Sequence, residues 1–478
     1  QTTPSDFGIC FTPLPFSLIR PNYVTISADN LPHCKSCGAF INKYTKQDMS
    51  TFVCSVCGQT NQNKMVLYLE DSDFSDDVYD SYCTDYPVRR KQFVPTDLLV
   101  ISLSLLKKFP SLIDILSNAY MFSSAPKQVG LAIIHGGITI VKFRNHLSFN
   151  TYAFEIPTVN LPQFFISAST FRESLPMIQR QLQELSDIPQ EIETSTSFIK
   201  FAVQSSFLFG SSVKFFLDEK DFHIAFNYKE SRQDALNACR YCSQISLFLF
   251  PTSKDFSVLY RNPLFDLCSI TGGHLKMFKI NENNIDESFS RIKNELTECL
   301  RTTLLHDTVL KISTPNDCTV KDYAGNGFLK TTRVLTIPKI KAGDSFFFKF
   351  NAKEFKYPFL QFVLFFTTDV GVRKMRIYTV PIEKFKPIDH NALSKYIAAF
   401  VSQRFIIEDD CDLKKYIKSI EAKYSKFLSD YPILYKAQTL LNSTDYGDMF
   451  IKALIYRSFI QQDNQQRSNP QENESILV

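Results

Sequence analysis

Four cysteines near the start of the chain restrict its fold more than any other feature. Cys34 and Cys37 form one C-x2-C pair, Cys54 and Cys57 form a second, and sixteen residues separate the pairs. Each pair supplies two thiolates from one tight turn, so two pairs complete a tetrahedral shell with no position left for water. A glycine follows each pair and lets the backbone turn back. The spacing predicts a closed, structural Zn2+ site in a zinc ribbon, in preference to chance thiols or disulfides.

The size and composition predict several folded units. A chain of 478 residues exceeds what one hydrophobic core usually serves. Lysine and arginine number 53 against 49 acidic residues, so the bulk charge does not indicate strong nucleic-acid binding. No apolar run reaches the roughly 20 residues that cross a bilayer, and residues 1–11 lack the pattern of a secretory signal. We therefore expect a cytoplasmic protein whose other cysteines stay reduced.

Alternating strand and helix signals follow the ribbon and an acidic connector. Apolar runs at Leu98–Leu105, Val129–His135 and Ile138–Arg144 predict strands, and the spacing of apolar residues over Ser111–Phe122 predicts a helix. The same alternation continues with helices near 161–185, 196–209 and 233–242, and with strands near 213–217, 245–250 and 274–280. Strands separated by helices favour a mostly parallel sheet with helices on both faces.

The pattern changes to short strands separated by turns from Asp317 onward. The predicted strands are 334–337, 345–350, 359–367 and 373–380, which is typical of an antiparallel β-sandwich. The proline-containing segment Ile9–Ile26 also has strand character and is expected to join that sheet. Asn391–Phe459 has the periodicity of amphipathic helices, and the polar residues after it have the composition of a disordered tail.

Four stretches of sequence resemble a known family. They are residues 18–21 together with the ribbon segment HCKSCGAFIN at 33–42, PTDLLVISLS at 95–104, TGGHL at 271–275, and QFVLFFTTDVGVRKMRIYT at 361–379. In order and content they resemble the inner-layer subunits of the COPII vesicle coat, and specifically the cargo-adaptor subunit (the Sec twenty-four type). The chain looks like a divergent member with a shortened helical region and no gelsolin-like domain after it.

The resemblance implies a multidomain α+β fold. It has a zinc ribbon, a von Willebrand A-like α/β trunk, an antiparallel β-sandwich assembled from N-terminal and central segments, and a C-terminal helical domain. The expected units are strands of the sandwich at 1–30, the ribbon at 31–66, an acidic connector at 67–94, the trunk at 95–283, a helix leading into the sandwich at 284–316, the sandwich at 317–386, the helical domain at 387–460 and a disordered tail at 461–478.

The resemblance also implies a function and a set of partners. A non-catalytic coat subunit would pair with the sister inner-coat subunit (the Sec twenty-three type) during transport from the endoplasmic reticulum to the Golgi. It would meet a Sar-type small GTPase indirectly, bind cytosolic tails of membrane cargo, and lie peripherally on the anionic membrane of the endoplasmic reticulum and on COPII vesicles. No nucleic acid is expected as a partner. No residue matches the GTPase-stimulating arginine of the sister subunit.

The cargo surface of the family departs from its pattern in this chain. Arginines flank the first cysteine pair in the family and receive acidic sorting signals, because a guanidinium fork suits a carboxylate. Here the flanking positions hold His33 and Gly38, and Lys35 is the basic residue between the cysteines. The residues predicted to form a cargo, partner or lipid surface are His33, Lys35, Leu335, Arg373 and Arg376. For the arginines, a solvated strand face is an equal alternative.

The trunk is expected to lack the metal site of von Willebrand A domains. Those that bind metal place D-x-S-x-S after the first strand, where the aspartate and hydroxyl groups complete an oxygen shell. This chain has Ser102-Leu103-Ser104 there and no aspartate. We therefore predict no magnesium, and two ordinary strand-end serines.

Other candidate sites favour structural interpretations. Cys239 and Cys242 are predicted to be buried thiols on a helix, because no second pair lies nearby, and we find no catalytic set of residues. Three alternatives remain open. They are a reduced coat paralogue that acts as a scaffold without cargo selection, a zinc-ribbon protein that binds nucleic acid, and an enzyme on a von Willebrand A-like scaffold.

Overall fold

The computed structural model describes most of the ribbon, trunk and sandwich. The described residues are 6–11, 13, 22–23, 27–48, 50–62, 83–88, 95–122, 128–135, 137–142, 148–152, 165–186, 212–218, 228–250, 267–268, 270–278, 285–301, 304–341, 344–352, 359–382, 419 and 422. Among these residues, every helix falls short of the length or the hydropathy that a bilayer-spanning segment requires.

Strands dominate the described part of the chain. The strands are β1 (Asp6–Phe11), β2 (Asn22–Tyr23), β3 (Lys46–Gln47), β4 (Thr51–Val53), β5 (Thr60–Gln62), β6 (Cys83–Pro87), β7 (Thr96–Ser102), β8 (Gln128–Ile134), β9 (Ile138–Lys142), β10 (Ser148–Tyr152), β11 (Ile166–Ser167), β12 (Ser212–Asp218), β13 (Gln244–Phe250), β14 (Leu275–Met277), β15 (Leu304–Ser313), β16 (Cys318–Ala324), β17 (Phe328–Thr331), β18 (Val334–Lys341), β19 (Phe346–Ala352), β20 (Phe359–Thr367) and β21 (Arg373–Pro381). The helices are α1 (Leu103–Lys108), α2 (Leu112–Met121), α3 (Ala168–Glu173), α4 (Leu175–Ser186), α5 (Tyr228–Arg240) and α6 (Ile285–Arg301), with a 3-10 turn at Ala28–Asn30.

The trunk is an α/β unit built on one eight-stranded sheet. Its strand order is β10-β9-β8-β7-β12-β13-β14, and β11 pairs with β8. The strands from β8 to β14 in that order run parallel, whereas β9, β10 and β11 are antiparallel additions. Alternate residues of β7, such as Leu99 and Ile101, pack in one buried cluster with residues of α1, α2, α3, α4 and α6. The predicted, mostly parallel sheet is confirmed.

Some trunk elements differ from the sequence expectation. The apolar run at 98–105 is divided, because β7 ends at Ser102 and Leu103 begins α1. The helix expected near 161–185 consists of α3 and α4, preceded by the short strand β11. Apolar residues at these boundaries are buried in both elements, so hydrophobicity alone does not mark where a strand becomes a helix. The helix expected at 196–209 lies outside the described residues.

The sandwich consists of two sheets that pack around a core of aromatic and aliphatic residues. One sheet has the order β1-β19-β16, and the other has the order β17-β18-β15-β20-β21-β6-β2. Phe11 of β1 stacks on Phe362 of β20 with ring centroids 4.8 Å apart, so the N-terminal strand is part of the core between the sheets. A sandwich assembled from N-terminal and central segments, as the resemblance implied, is confirmed.

The sandwich begins earlier in the sequence than the expected boundary at 317. Strand β15 at Leu304–Ser313 lies between β18 and β20, although residues 284–316 were expected to be a helix leading into the sandwich. Strand β6 at Cys83–Pro87 pairs with β21, although it falls within the expected acidic connector at 67–94. The helical domain expected at 387–460 lies outside the described residues, apart from Ser419 and Ala422, and the tail at 461–478 lies wholly outside them.

A buried ionic cluster joins the trunk to the sandwich. The carboxylate of Asp97, on β7, lies 2.7 Å from Lys214 Nζ of β12 and 3.7 Å from Lys339 Nζ of the sandwich strand β18. Tyr120 donates a hydrogen bond of 2.9 Å to the same carboxylate. The side chains of Asp97, Lys214 and Lys339 are at most 5% exposed. These charges therefore hold the two units in one relative position.

The Thr271-Gly272-Gly273 segment lies near the same junction, at positions where the backbone leaves no room for a larger side chain. A Cβ on Gly273 would lie 1.7 Å from the carbonyl oxygen of Ile245, and Gly272 has φ +75 and faces the backbone of Lys339. Thr271 closes the turn, because its hydroxyl donates to the carbonyl of Leu267 at 2.6 Å. A side chain at Gly273 would clash within the trunk sheet, and a side chain at Gly272 would press against the sandwich strand β18.

Candidate metal centre

Four cysteine sulfurs converge at the ribbon. The Sγ atoms of Cys34, Cys37, Cys54 and Cys57 all lie within 4.8 Å of one another. The distances are 3.5 Å between Cys34 and Cys57 and 3.6 Å between Cys37 and Cys54. A disulfide would need about 2.05 Å, whereas sulfurs about 2.3 Å from a tetrahedral zinc ion lie about 3.8 Å apart. The four thiols therefore fit a closed tetrahedral metal site.

The two knuckles have the same backbone geometry. Gly38 has φ 72 and Gly58 has φ 73, the left-handed conformation that glycine adopts without strain. The amide of Gly38 donates to the carbonyl of Cys34 at 2.9 Å, and the amide of Gly58 donates to that of Cys54 at 2.8 Å. Each glycine therefore closes the turn that aims two sulfurs at one point.

Hydrogen bonds favour negative charge on one of the four sulfurs, that of Cys54. The bond from the Cys37 thiol, with help from the amides of Cys57 and Val56, lowers the pKa of Cys54 to about 5. That bond holds the proton on Cys37 and raises its pKa. The side-chain amide of Asn61 donates to the sulfur of Cys34 at 3.4 Å. The cluster is prepared for a cation, whose binding releases the remaining protons.

The ribbon is docked on the outer face of the larger sandwich sheet. The side chain of Gln361, on β20, accepts from the amide of Phe40 at 2.7 Å and donates to its carbonyl at 2.9 Å. Lys311 of β15 donates to the carbonyl of Gly38 at 3.1 Å. An apolar cluster completes the contact, formed by Ala28, Leu31, Ile41, Phe52, Val363, Met375 and Ile377. The ribbon and the sandwich therefore form one body.

The residues predicted as a cargo or partner surface divide into two groups. His33 and Lys35 are exposed on the first knuckle, and their role in cargo binding remains a prediction. Leu335 is 0% exposed and belongs to the core between the two sandwich sheets, so its placement on a surface is wrong. Strand β18 is buried on both faces over most of its length, so Leu335 lies in the core.

The two predicted arginines are engaged inside the protein. Arg376 is 11% exposed and holds Asp85 by two hydrogen bonds, of 2.5 Å from Nε and 3.0 Å from Nη2. Arg373 is 10% exposed and lies 3.3 Å from the carboxylate of Asp307. Lys374 also reaches Asp85, at 3.7 Å. These side chains stabilise the sheet, and neither the lipid surface nor the solvated face proposed from the sequence describes them.

The two trunk serines are more than strand-end residues. Ser104 donates to Asp218 at 3.1 Å, and the hydroxyls of Ser102 and Ser104 are 2.9 Å apart. Lys108 Nζ lies 2.6 Å from the same Asp218 oxygen. The sequence reading missed Asp218 and Lys108 because Asp218 follows Ser104 by more than a hundred residues. The signal that identifies Asp218 is its position at the carboxyl end of a buried strand.

The C-x2-C pair formed by Cys239 and Cys242 does not form a metal site. Cys239 is fully buried, and burial raises the pKa of its thiol to about 12, as the sequence predicted for a structural thiol. Cys242 was also predicted to be buried on the helix, but it lies beyond the end of α5 with φ 58 and is half-buried. Its thiol donates a hydrogen bond of 2.6 Å to the carboxylate of Asp307. The pair therefore diverges at the helix end.

Comparisons with known proteins agree with this architecture. No family model matches the sequence. The protein transport protein SEC24 of Dictyostelium discoideum is 28% identical over 142 residues, which are 29% of this chain and 14% of that protein. The crystal structure of the human COPII-coat protein Sec24c is similar with a TM-score of 0.70 and 13% identity, over 94% of this chain and 71% of that one. The resemblance to the inner-layer coat subunits is confirmed.

The similarity to the human coat protein concerns the fold. It extends over 94% of this chain and confirms the expected α+β class. A von Willebrand factor type A structure from Catenulispora acidiphila aligns with 76% of this chain at a TM-score of 0.43 and 8% identity, which is too low to carry a conclusion. The matched stretch spans only 14% of the Dictyostelium protein's length.

Proposed function

We propose that the chain is a non-catalytic subunit of a COPII-type vesicle coat that pairs with the sister inner-coat subunit. The observation that carries this proposal is the similarity of its fold to human COPII-coat protein Sec24c over 94% of the chain. The architecture supports it, because the ribbon is docked on the sandwich and the sandwich is joined to the trunk by buried charges. Three units joined in this way form a rigid body, which suits docking to partners. In the cell it would lie on the cytoplasmic side of the endoplasmic reticulum, in transport toward the Golgi, with any Sar-type GTPase contacted through the sister subunit.

The proposed metal is structural zinc. Four thiolates and no water are the ligand set that zinc prefers in structural sites, and a closed shell holds the two knuckles without offering a reaction site. Cys34, Cys37, Cys54 and Cys57 would supply the ligands, and Asn61 would orient Cys34 by its hydrogen bond. Zinc measured in stoichiometric amount in the purified chain tests this assignment.

A pull-down tests the pairing. Tagged chain is recovered from cytosolic extract with and without nuclease, and co-purified proteins are quantified by mass spectrometry. A coat subunit brings the sister subunit in nearly equal amount, whether or not nuclease is present. Recovery of nucleic acid with no sister subunit would support the zinc-ribbon alternative instead. The structure disfavours that alternative, because Phe52 of the ribbon is buried against the sandwich and is not offered to bases.

Membrane binding is proposed to be electrostatic. Lys35, Lys43 and Lys46 are exposed on the ribbon, and each cation near an anionic surface is worth about 1 kcal/mol. Flotation with anionic vesicles should decrease as salt is raised. Replacing the three ribbon lysines with glutamine should reduce flotation more than the matched replacement of Lys107, Arg172 and Arg180 on the trunk helices. Flotation that does not depend on salt would contradict the electrostatic account.

Two forms of the coat function differ in cargo selection. The cargo-adaptor form uses the exposed His33 and Lys35 of the first knuckle to bind acidic tails. The scaffold form has lost that recognition, and it is favoured by the engagement of Arg373 and Arg376 in internal ion pairs. Binding of acidic tail peptides that is abolished by Lys35→Glu supports the adaptor. No peptide binding by the paired, folded chain supports the scaffold.

A further inference from the structure

The trunk sheet has one position at which its strand order reverses. From β7 the chain crosses to β8 on one side and later returns to β12 on the other side of β7. In open sheets of parallel strands, the carboxyl ends on either side of such a reversal diverge and leave a crevice where ligands bind. Strand β7 ends at Ser102 and β12 ends at Asp218, so these residues line the crevice.

The chain's own lysine occupies this crevice. Asp218 has a side chain that is 0% exposed, and Lys108 Nζ lies 2.6 Å from its Oδ2 atom. Ser104 donates to the same oxygen at 3.1 Å, and Ser102 lies 2.9 Å from Ser104. The Lys108 side chain is 38% exposed, so the ammonium group enters the crevice from the solvent side.

The ligands around this ammonium group are of the kind that divalent cations take. A carboxylate with two hydroxyl oxygens, open to water on one side, is a hard oxygen set for Mg2+ or Mn2+. A buried carboxylate also requires a nearby positive charge, because burying an ionised group without a partner of opposite charge is costly. The ammonium of Lys108 provides that charge without any ion from solution.

We propose that Lys108 is a tethered cation that takes the place of a divalent metal ion at the reversal of the trunk sheet. Its role is to make the trunk independent of Mg2+ and Mn2+ while keeping the oxygen ligands in position. Removal of the lysine side chain should then convert the crevice into a divalent-cation site formed by Ser102, Ser104, Asp218 and water.

Direct measurement of Mn2+ binding tests the proposal. The decrease of the free Mn2+ electron paramagnetic resonance signal is followed for the zinc-loaded wild type, Lys108→Ala and the control Lys107→Ala, all at the same pH. No chelator is added, so that the ribbon keeps its metal, and sodium chloride matches the ionic strength. We expect Lys108→Ala to bind one Mn2+ with a dissociation constant on the order of 10⁻³ M or below. Wild type and Lys107→Ala should bind at least about tenfold more weakly.

A double variant locates the ion. Lys108→Ala combined with Asp218→Asn should lose the gained binding, because Asp218 supplies the charged oxygen among the three described residues that would hold the ion. Equal Mn2+ uptake by wild type and Lys108→Ala, or uptake that survives in the double variant, would overturn the proposal.

A milder variant guards against misfolding. Lys108→Gln removes the charge but keeps a hydrogen-bond donor toward Asp218, and it should also gain Mn2+ binding. A Lys108→Ala protein that folds in Mn2+ but not in sodium chloride would support the proposal. Failure of both variants to take up Mn2+ would reject it.

Discussion

The ribbon and the trunk each place several anionic or acceptor groups close together, but the positive charge that balances those groups differs between the two regions. In the ribbon, four thiols lie within 4.8 Å of one another, an arrangement that fits an external metal ion. At the trunk sheet edge, Asp218 is met by Lys108 of the same chain at 2.6 Å. The first region depends on metal supply and pH, whereas the second carries its own positive charge. A chain built this way can lose the folded ribbon while the trunk stays folded.

Removal of one zinc ligand should have the largest effect. Structural zinc contributes about 10 kcal/mol or more of folding free energy to isolated fingers, so Cys37→Ser should lose the metal and unfold the ribbon. The trunk has a separate apolar core and should stay folded. Zinc content and hydrogen exchange measure the two regions in one sample. Cys242→Ser is the control, because a hydroxyl can still donate to Asp307. If the ribbon amides of Cys37→Ser stayed protected from hydrogen exchange, the contrast between a metal-dependent ribbon and a metal-independent trunk would be wrong.

Loss of the buried charge at the trunk and sandwich junction should have the next largest effect. Asp97→Asn leaves Lys214 and Lys339 without their shared carboxylate, and breaking a buried ion pair costs about 3–5 kcal/mol. Denaturant unfolding should show this loss, while zinc content should stay unchanged. The control Asp114→Asn keeps an acceptor for Gln179 and should change stability by less than about 0.5 kcal/mol. Loss of zinc from Asp97→Asn would mean that the two regions are not independent.

Removal of the ribbon's tether should have a smaller effect. Gln361→Ala leaves the half-buried amide of Phe40 without its acceptor and removes one of the two donors to the carbonyl of Phe40, at a cost of about 1–3 kcal/mol. Hydrogen exchange should increase at Phe40 and Ile41, while the zinc site remains loaded. Gln59→Ala, at an exposed position of the ribbon, is the matched control. Unchanged exchange at Phe40 would show that the apolar contact alone docks the ribbon.

Acidification should produce the smallest effect at the β3–β4 turn. Hydrogen bonds from the amides of Ser50 and Thr51 lower the pKa of Asp48 to about 2 from 3.8. A lowered pKa in the folded state adds stability above the unfolded value, and this addition disappears as pH falls from about 4 to about 2. Amide exchange of Thr51 should therefore increase over that range in the wild type and be insensitive to it in Asp48→Asn. Equal pH dependence in both proteins would contradict this assignment.

The metal site could be predicted because its ligands are local. Cys34 to Cys57 span one short segment, and each glycine after a pair marks the turn that the knuckle needs. The trunk strands could also be predicted from the sequence, because strands buried on both faces are continuous apolar runs.

The earlier start of the sandwich could not be predicted from local pattern. Strand β15 contains a bulge between His306 and Val309, where Asp307 has φ 49, and this interrupts the alternation of apolar and polar residues. Strand β6 resembles an acidic connector in sequence, because the charge of Asp85 is compensated by Arg376 and Lys374, which lie far along the chain. Partners so distant in sequence leave no periodic signal. For the same reason, the contact of Asp218 with the serines at 102 and 104 could not be predicted from the sequence.

Native mass spectrometry of an equimolar mixture with the sister coat subunit tests the account most directly. The account predicts a complex with one copy of each protein, in which this chain carries one zinc ion and takes up no further ion when Mg2+ is added. Two proteins that remain separate, or a folded chain that holds no zinc, would contradict it.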